Sequence, residues 1–365
     1  MKHRTSANDG VAAARRRFLI GCAAIGGGAL VSGCEQLESL KNLSLRDVLG
    51  FPENTEAMSQ IERNKAIALR FKKAQGEKDG EATISRLLAP GYRRARSGME
   101  HLAKNAEGQG HPNPGPYLRN AIPDRVDVIE GVIAEGNMVG MLFRMTGTHR
   151  GNLFGIPPTG KSINVYEVAI LRLSGEWITD GWFMADEAGL LKQLGATLPP
   201  RKDGARVMPM PTGGGEDPDV VLRRIESGPL VSREDKNRLV VAQSKSSNPP
   251  KDSRAPDHKS LRLGFQHLRD YGDAKKVGNE RVTLALPDRR DRIDGLIAEG
   301  DTVWIQYRVS GTHKANLYGH PPTGRRVEVP EIRIARFAGG QWKESWDFGD
   351  ELGLMLQLGA LHMLG

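Results

Sequence analysis

The sequence predicts an α+β protein made of two copies of one small domain. Three observations carry this reading: a block of about seventy residues that recurs 164 positions later, helix-like patterns placed ahead of runs of strand-like alternation, and a Pro/Gly-rich stretch between the two blocks.

The repeat is read directly. Ile122-Pro123-Asp124-Arg125 returns as Leu286-Pro287-Asp288-Arg289, and Ile133-Ala134-Glu135-Gly136 as Ile297-Ala298-Glu299-Gly300. The same offset carries Gly147-Thr148-His149 onto Gly311-Thr312-His313, Pro157-Pro158-Thr159-Gly160 onto Pro321-Pro322-Thr323-Gly324, and Gln193-Leu194-Gly195-Ala196 onto Gln357-Leu358-Gly359-Ala360. Upstream the register drifts. Asn64, opening a helix with Ala66, Ile67, Leu69 and Phe71 on one face, matches Asn237, an offset of 173. The second copy is therefore expected to lack about nine residues, assigned to the Leu87–Tyr92 region.

Within a copy, residues 61–74 and 79–88 read as helices, and 126–135, 138–149, 162–173 and 176–185 as strands joined by Gly-containing turns. Leu190, Leu191 and Leu194 close the copy as a short apolar segment. Helices gathered before adjacent strands imply a curved, mainly antiparallel sheet wrapped around N-terminal helices. The expected organisation is an export signal over 1–33, a tether over 34–55, a first domain over 56–198, a linker over 199–228 and a shortened second domain over 229–365.

The first 33 residues form an address. Arg15-Arg16-Arg17 precedes a mild apolar run from Phe18 to Val31, and the Arg15-Arg16 pair resembles a twin-arginine export signal. Leu30-Val31-Ser32-Gly33-Cys34 resembles a bacterial lipobox, which implies a diacylglycerol on Cys34, cleavage before it and a periplasmic or cell-surface membrane anchor. An uncleaved anchor helix with an incidental cysteine is the competing reading. Net charge is +8 for the whole chain, but removing residues 1–33 leaves 47 basic against 43 acidic residues. No dense basic stripe with interleaved aromatics remains, so nucleic acid is not an expected partner. Cys22 and Cys34 are the only cysteines, which excludes a disulfide framework or cysteine-rich metal site in the body.

The run from Gly147 through Gly160, then Trp182, then Asp186-Glu187-Ala188-Gly189-Leu190-Leu191-Lys192-Gln193-Leu194-Gly195, resembles the SnoaL-like polyketide cyclase family, also called ester cyclases. The resemblance spans nearly the whole copy. It implies the nuclear-transport-factor-2-like cone, with a pocket inside and no metal or organic cofactor. Family members commonly pair through their sheets, so the two copies are expected to pair within one chain as a pseudo-dimer. The family chemistry is an intramolecular aldol closure in which a pocket carboxylate moves a proton. It places that role on Asp186 and its counterpart Asp350.

Each candidate has a structural alternative. Asp186 and Asp350 follow apolar residues, as a base of raised pKa requires, yet an Asp-Glu pair before an apolar run is also a helix cap. His149 and His313 stand beside a Pro-Pro-Thr-Gly turn, where a histidine polarises a carbonyl or satisfies the turn. Glu167 and Glu331 recur within strands and are further bases if they point inward, surface residues if outward. Trp182 and Trp346, with Tyr166 and Phe143, are candidates for lining the pocket, or are core. The polar residues that the family places soon after the tyrosine following the second helix are missing after Tyr92, where Arg93, Arg94 and Arg96 stand. Any activity is therefore expected in the first copy. Two functions stay open: a cofactor-independent cyclase or isomerase acting on a carbonyl compound, and a lipoprotein that binds a small apolar molecule or docks a partner.

Overall fold

A computed structural model describes residues 58–107, 114–201, 203–250, 254–263, 265–277 and 282–364. Arg15, Arg16 and Cys34 lie outside the described residues. No helix among those described is long and apolar enough to cross a membrane.

The first copy begins with α1 (Gln60–Gly76), which Ser59 caps by accepting from the Glu62 amide. Its buried face carries Ile67, Ala68, Phe71 and Lys72. There follow α2 (Gly80–Leu87), β1 (Leu88–Arg96), α3 (Glu100–Asn105), α4 (Pro114–Ala121), β2 (Val126–Glu135), β3 (Met138–Thr148), β4 (Ser162–Ser174), β5 (Trp177–Ala185) and α5 (Glu187–Leu194). The second copy contains α6 (Pro218–Glu226), α7 (Arg233–Gln243), β6 (Arg254–Arg262), α8 (Gln266–Ala274), α9 (Val282–Ala285), β7 (Arg290–Glu299), β8 (Thr302–Thr312), β9 (Arg326–Ala338), β10 (Gln341–Gly349), α10 (Glu351–Leu358) and a final 3₁₀ turn, Leu361–Leu364.

Each copy is a helix-packed, five-stranded sheet, ordered β1-β5-β4-β3-β2 and β6-β10-β9-β8-β7. The sheets are mixed, because β1 runs parallel to β5 and β6 parallel to β10 while the other pairings are antiparallel. β1 carries no strand signal in the sequence. Leu-Ala-Pro-Gly-Tyr-Arg-Arg-Ala-Arg lacks alternation and contains Pro90, which a sheet tolerates on an edge strand. The register breaks between Ile129 and Gly131, and again between Ile293 and Gly295, at equivalent points of the two copies. Such bulges bend a strand and increase its twist.

The shortened part of the second copy is α2, not the tyrosine region. Ser59, Asn64 and Lys72 correspond to Ser232, Asn237 and Lys245 at an offset of 173, and β6 then pairs with β10 as β1 does with β5, at 166. Lys259 faces Glu344 where Arg93 faces Asp180, and His258 takes the place of Tyr92, bonding Ser345 (2.9 Å). In the stretch between the copies, residues 203–215 have neither helix nor strand, whereas α6, capped by Asp217, packs on α7.

Alternation along the strands sorts side chains onto two faces, and both faces are buried. Met141, Phe143, Met145, Val165 and Phe183 point into the first cone. The opposite face contributes Ile133, Leu142, Val168, Ile170 and Met184 to an apolar cluster shared with Ile297, Trp304, Ile332, Ile334 and Phe348 of the second sheet. The repeated Ala-Glu pairs form a reciprocal lock beside it. Glu135 accepts from the Ala298 amide (2.8 Å) and Glu299 from the Ala134 amide (2.9 Å), while Arg238 and Lys65 neutralise these two carboxylates.

Candidate functional site

Inside the first cone is a chamber of about 400 Å³. Phe71, Met99, Leu118 and Phe183 give it apolar walls, and Arg94, Arg119, Arg125 and Glu167 add charge. Strand β4 turns Glu167 inward. A Cβ at position 98 would stand 2.1 Å from Glu167 Oε1, so the bare Gly98 makes room for the carboxylate.

A buried charge relay underlies Glu167. Lys72, projecting from α1 and 1% exposed, holds Nζ 3.6 Å from Glu167, 3.2 Å from Asp127 and 3.5 Å above the Phe143 ring. Arg125 grips Asp127 through Nε and Nη2 (3.0 and 2.9 Å). Burial pushes the Lys72 ammonium below its usual pKa despite the opposing fields of Glu167 and Asp127. Burial acts upward on Asp127, but Lys72 and Arg125 outweigh it and hold its carboxyl low.

The second cone has the same skeleton, filled with its own side chains. Ala169, Gly181 and Phe183 of the first copy become Arg333, Ser345 and Asp347, and Phe143 becomes Tyr307. Arg333 bonds Asp347 (2.6 Å), and the Tyr307 hydroxyl donates to Glu331. Lys245 sits 3.0 Å from Asp291 and 3.2 Å above the Tyr307 ring, and burial pushes its pKa down to about 7.

Asp186 and Asp350 line neither interior. Each caps the helix that follows it, accepting from Gly189 (2.8 Å) and Gly353 (2.9 Å), and each faces a histidine of the other copy. Asp350 meets His101 Nε2 at 2.8 Å and Arg96 Nη2 at 3.1 Å, with Glu187 accepting from the His101 and Leu102 amides (3.2 and 2.8 Å). Burial works to raise Asp350, yet His101 and Arg96 prevail and its carboxyl lies far below the ordinary range. Burial likewise opposes charge on His101, but Asp350 and Glu187 raise its pKa. The equivalent cluster is looser. His267 Nε2 stands 3.9 Å from both Asp186 Oδ1 and Glu351 Oε2. Burial raises Asp186, lowers His267 and lifts Glu351 to about 8.

The remaining sequence candidates divide cleanly. His149 and His313 hold their turns: each is bonded through Nδ1 to the Thr159 or Thr323 hydroxyl (3.1 Å) and accepts from that threonine's amide. Phe143 and Glu331 are interior, whereas Trp182, Trp346 and Tyr166 pack on the faces between the sheets, Tyr166 edge-on to Phe348 at 5.8 Å. The structure thus brings Glu167 and Phe143 together but places Asp186 and His149 elsewhere. Lys72, His101 and His267 carry no motif, and Arg125 stands in the repeated Pro-Asp-Arg run without being singled out for the site. The signal that marks them is their recurrence between the copies: Lys72 with Lys245, Arg125 with Arg289, and His101 with His267.

The model of the SnoaL-like polyketide cyclase family matches residues 117–194 and 273–358, one segment in each copy. No curated protein matches the chain. Among solved structures, a SnoaL-like protein from Jannaschia sp. CCS1 is 21% identical with a TM-score of 0.32, covering 39% of this chain and 98% of that chain. IdmH from Streptomyces antibioticus is 22% identical with a TM-score of 0.31, covering 36% and 99%. TsrD from Streptomyces laurentii is 18% identical with a TM-score of 0.29, covering 36% and 97%.

Proposed function

We propose, from the premise that the chain carries two SnoaL-like polyketide cyclase domains, that its first cone takes up a small carbonyl compound and that Glu167 moves a proton on it. One observation carries this reading: the first cone keeps a chamber with a carboxylate in its wall, whereas the second fills the matching positions with Arg333 and Asp347. In this scheme Glu167 takes the proton from the carbon next to the carbonyl and returns it to the oxygen or carbon that becomes basic. Arg94, Arg119 and Arg125 in the wall offset the negative charge that builds on the carbonyl oxygen. The acid/base role falls on Glu167 instead of Asp186, which the chamber does not include.

Turnover of small β-keto esters by the full-length protein tests this. Glu167→Gln is expected to lower the rate by about 10²–10⁴-fold, the usual worth of a positioned proton-transfer group, while Asp186→Asn keeps most of it. Equal rates for wild type and Glu167→Gln would remove Glu167 from the chemistry. The Lys72 pairing favours a second reading, in which Glu167 is half of a structural ion pair and the cone only binds. Saturable binding of such esters without turnover supports that alternative.

The proposal includes the address and the assembly. Arg15 and Arg16 direct export by the twin-arginine route, Cys34 carries the lipid, and the two copies serve as each other's dimer partner. Cys34→Ala is expected to move the protein from the membrane to the soluble fraction, and a variant that stayed with membranes would sink the anchor.

A further inference from the structure

The two polar clusters between the copies are equivalent in sequence but not in charge. On one side Arg96 places a guanidinium on Asp350 (3.1 Å), and both Glu187 oxygens accept backbone amides. On the other side Arg262, the counterpart of Arg96, turns away, 3.8 Å from Glu331 and over the Phe265 ring at 5.2 Å. Among the described residues no Lys or Arg forms an ion pair with Asp186 or Glu351, and His267 is the one basic side chain within 4.0 Å of them.

We propose that Asp186 of the first copy and His267 and Glu351 of the second bind one divalent transition cation of the Zn²⁺ kind, which bridges the two copies. The three donor atoms all lie within 4.8 Å of one another. Ligands on one ion at about 2.0–2.2 Å stand roughly 3.0–3.5 Å apart, so the two 3.9 Å separations close by about half an ångström each, and Asp186 and Glu351, within 4.8 Å of one another, close by up to about 1.5 Å. An independent sign comes from Glu351. Its side chain is 2% exposed, its Oε1 accepts from the Leu268 amide (2.8 Å), and its Oε2, facing His267, has no hydrogen-bond partner. A buried carboxylate oxygen left this way is costly unless a cation or proton meets it.

One imidazole with two carboxylates suits a borderline ion such as Zn²⁺ better than Mg²⁺, which prefers oxygen alone. Asp186 and His267 are 24% and 13% exposed, which leaves an entry path and room for water as a fourth ligand. Such an ion does for this side of the seam what Arg96 does for the other, and by binding only the folded chain it stabilises the pairing of the copies.

Titration of the full-length protein with ZnCl₂, followed by calorimetry and thermal unfolding, tests the site. One Zn²⁺ per chain is expected, with a rise in Tm. Binding should weaken at least tenfold in His267→Gln and in Glu351→Gln, and stay unchanged in His101→Gln, which alters only the sister cluster. Circular dichroism without metal checks that each variant is folded. Should His267→Gln not fold, Glu351→Gln decides alone, since its amide oxygen still accepts from Leu268. Undiminished stoichiometry and affinity in the folded variants would mean adventitious surface binding and overturn the proposal. Absence of saturable binding to the wild type would do the same.

Discussion

Trp304→Ala is expected to lower the unfolding free energy by about 3–5 kcal/mol, the usual loss for truncating a buried large aromatic. Trp304 is 3% exposed and lies in the apolar cluster between the two sheets. Its ring rests on Gly140 of the other copy, where a Cβ would stand 2.8 Å from Cε3, so the contact needs both a bare glycine and a large flat partner. The damage falls on the pairing of the copies, not on one cone. Urea unfolding followed by near-ultraviolet and far-ultraviolet signals checks this. The wild type should show coincident transitions, and Trp304→Ala an earlier onset with the two signals separating. A loss below about 0.5 kcal/mol, the level of an ordinary surface change, would show that the sheets do not depend on each other.

The second large effect belongs to the Asp350 clasp. Asp350→Asn leaves the Arg96 guanidinium buried without its carboxylate and His101 with only Glu187 beside it, and breaking one side of such a pair costs about 3–5 kcal/mol. The pH dependence has a definite sign. Asp350 is held below its ordinary value of 3.8, so its contribution is present above that pH and fades as pH falls through the folded value. His101 is raised above 6.5, so its contribution is complete below that pH and fades as pH rises through the folded value. The clasp is therefore strongest between about pH 4 and 6.5. Urea midpoints measured from pH 3 to 9 should fall at both ends for the wild type, with a flatter alkaline limb in His101→Gln. An identical limb in that variant would take His101 out of the clasp.

The resemblance in the Gly147–Gly160 and Asp186–Gly195 runs leads to the right fold, and the local patterns place β2 to β5 to within a residue or two. They miss β1, whose proline and arginines hide an edge strand, and they misplace the shortening of the second copy. In that gap two local offsets, 173 and 166, meet within a few residues, and α2 left no counterpart to align.

The sequence by itself determined the duplication, the run of four strands β2 to β5, and the pairs Asp186/Asp350 and Glu167/Glu331 that a site could use. Which of them share a chamber was decided only by the tertiary structure, for two physical reasons. A strand exposes one face to a cone and the other to the second sheet, and here both faces are apolar, so alternation cannot say that Glu167 points inward while Tyr166 and Trp182 point out. The histidines that meet Asp186 and Asp350 come from the opposite copy, 81 and 249 positions away. No local pattern encodes a contact made by packing one whole domain against another.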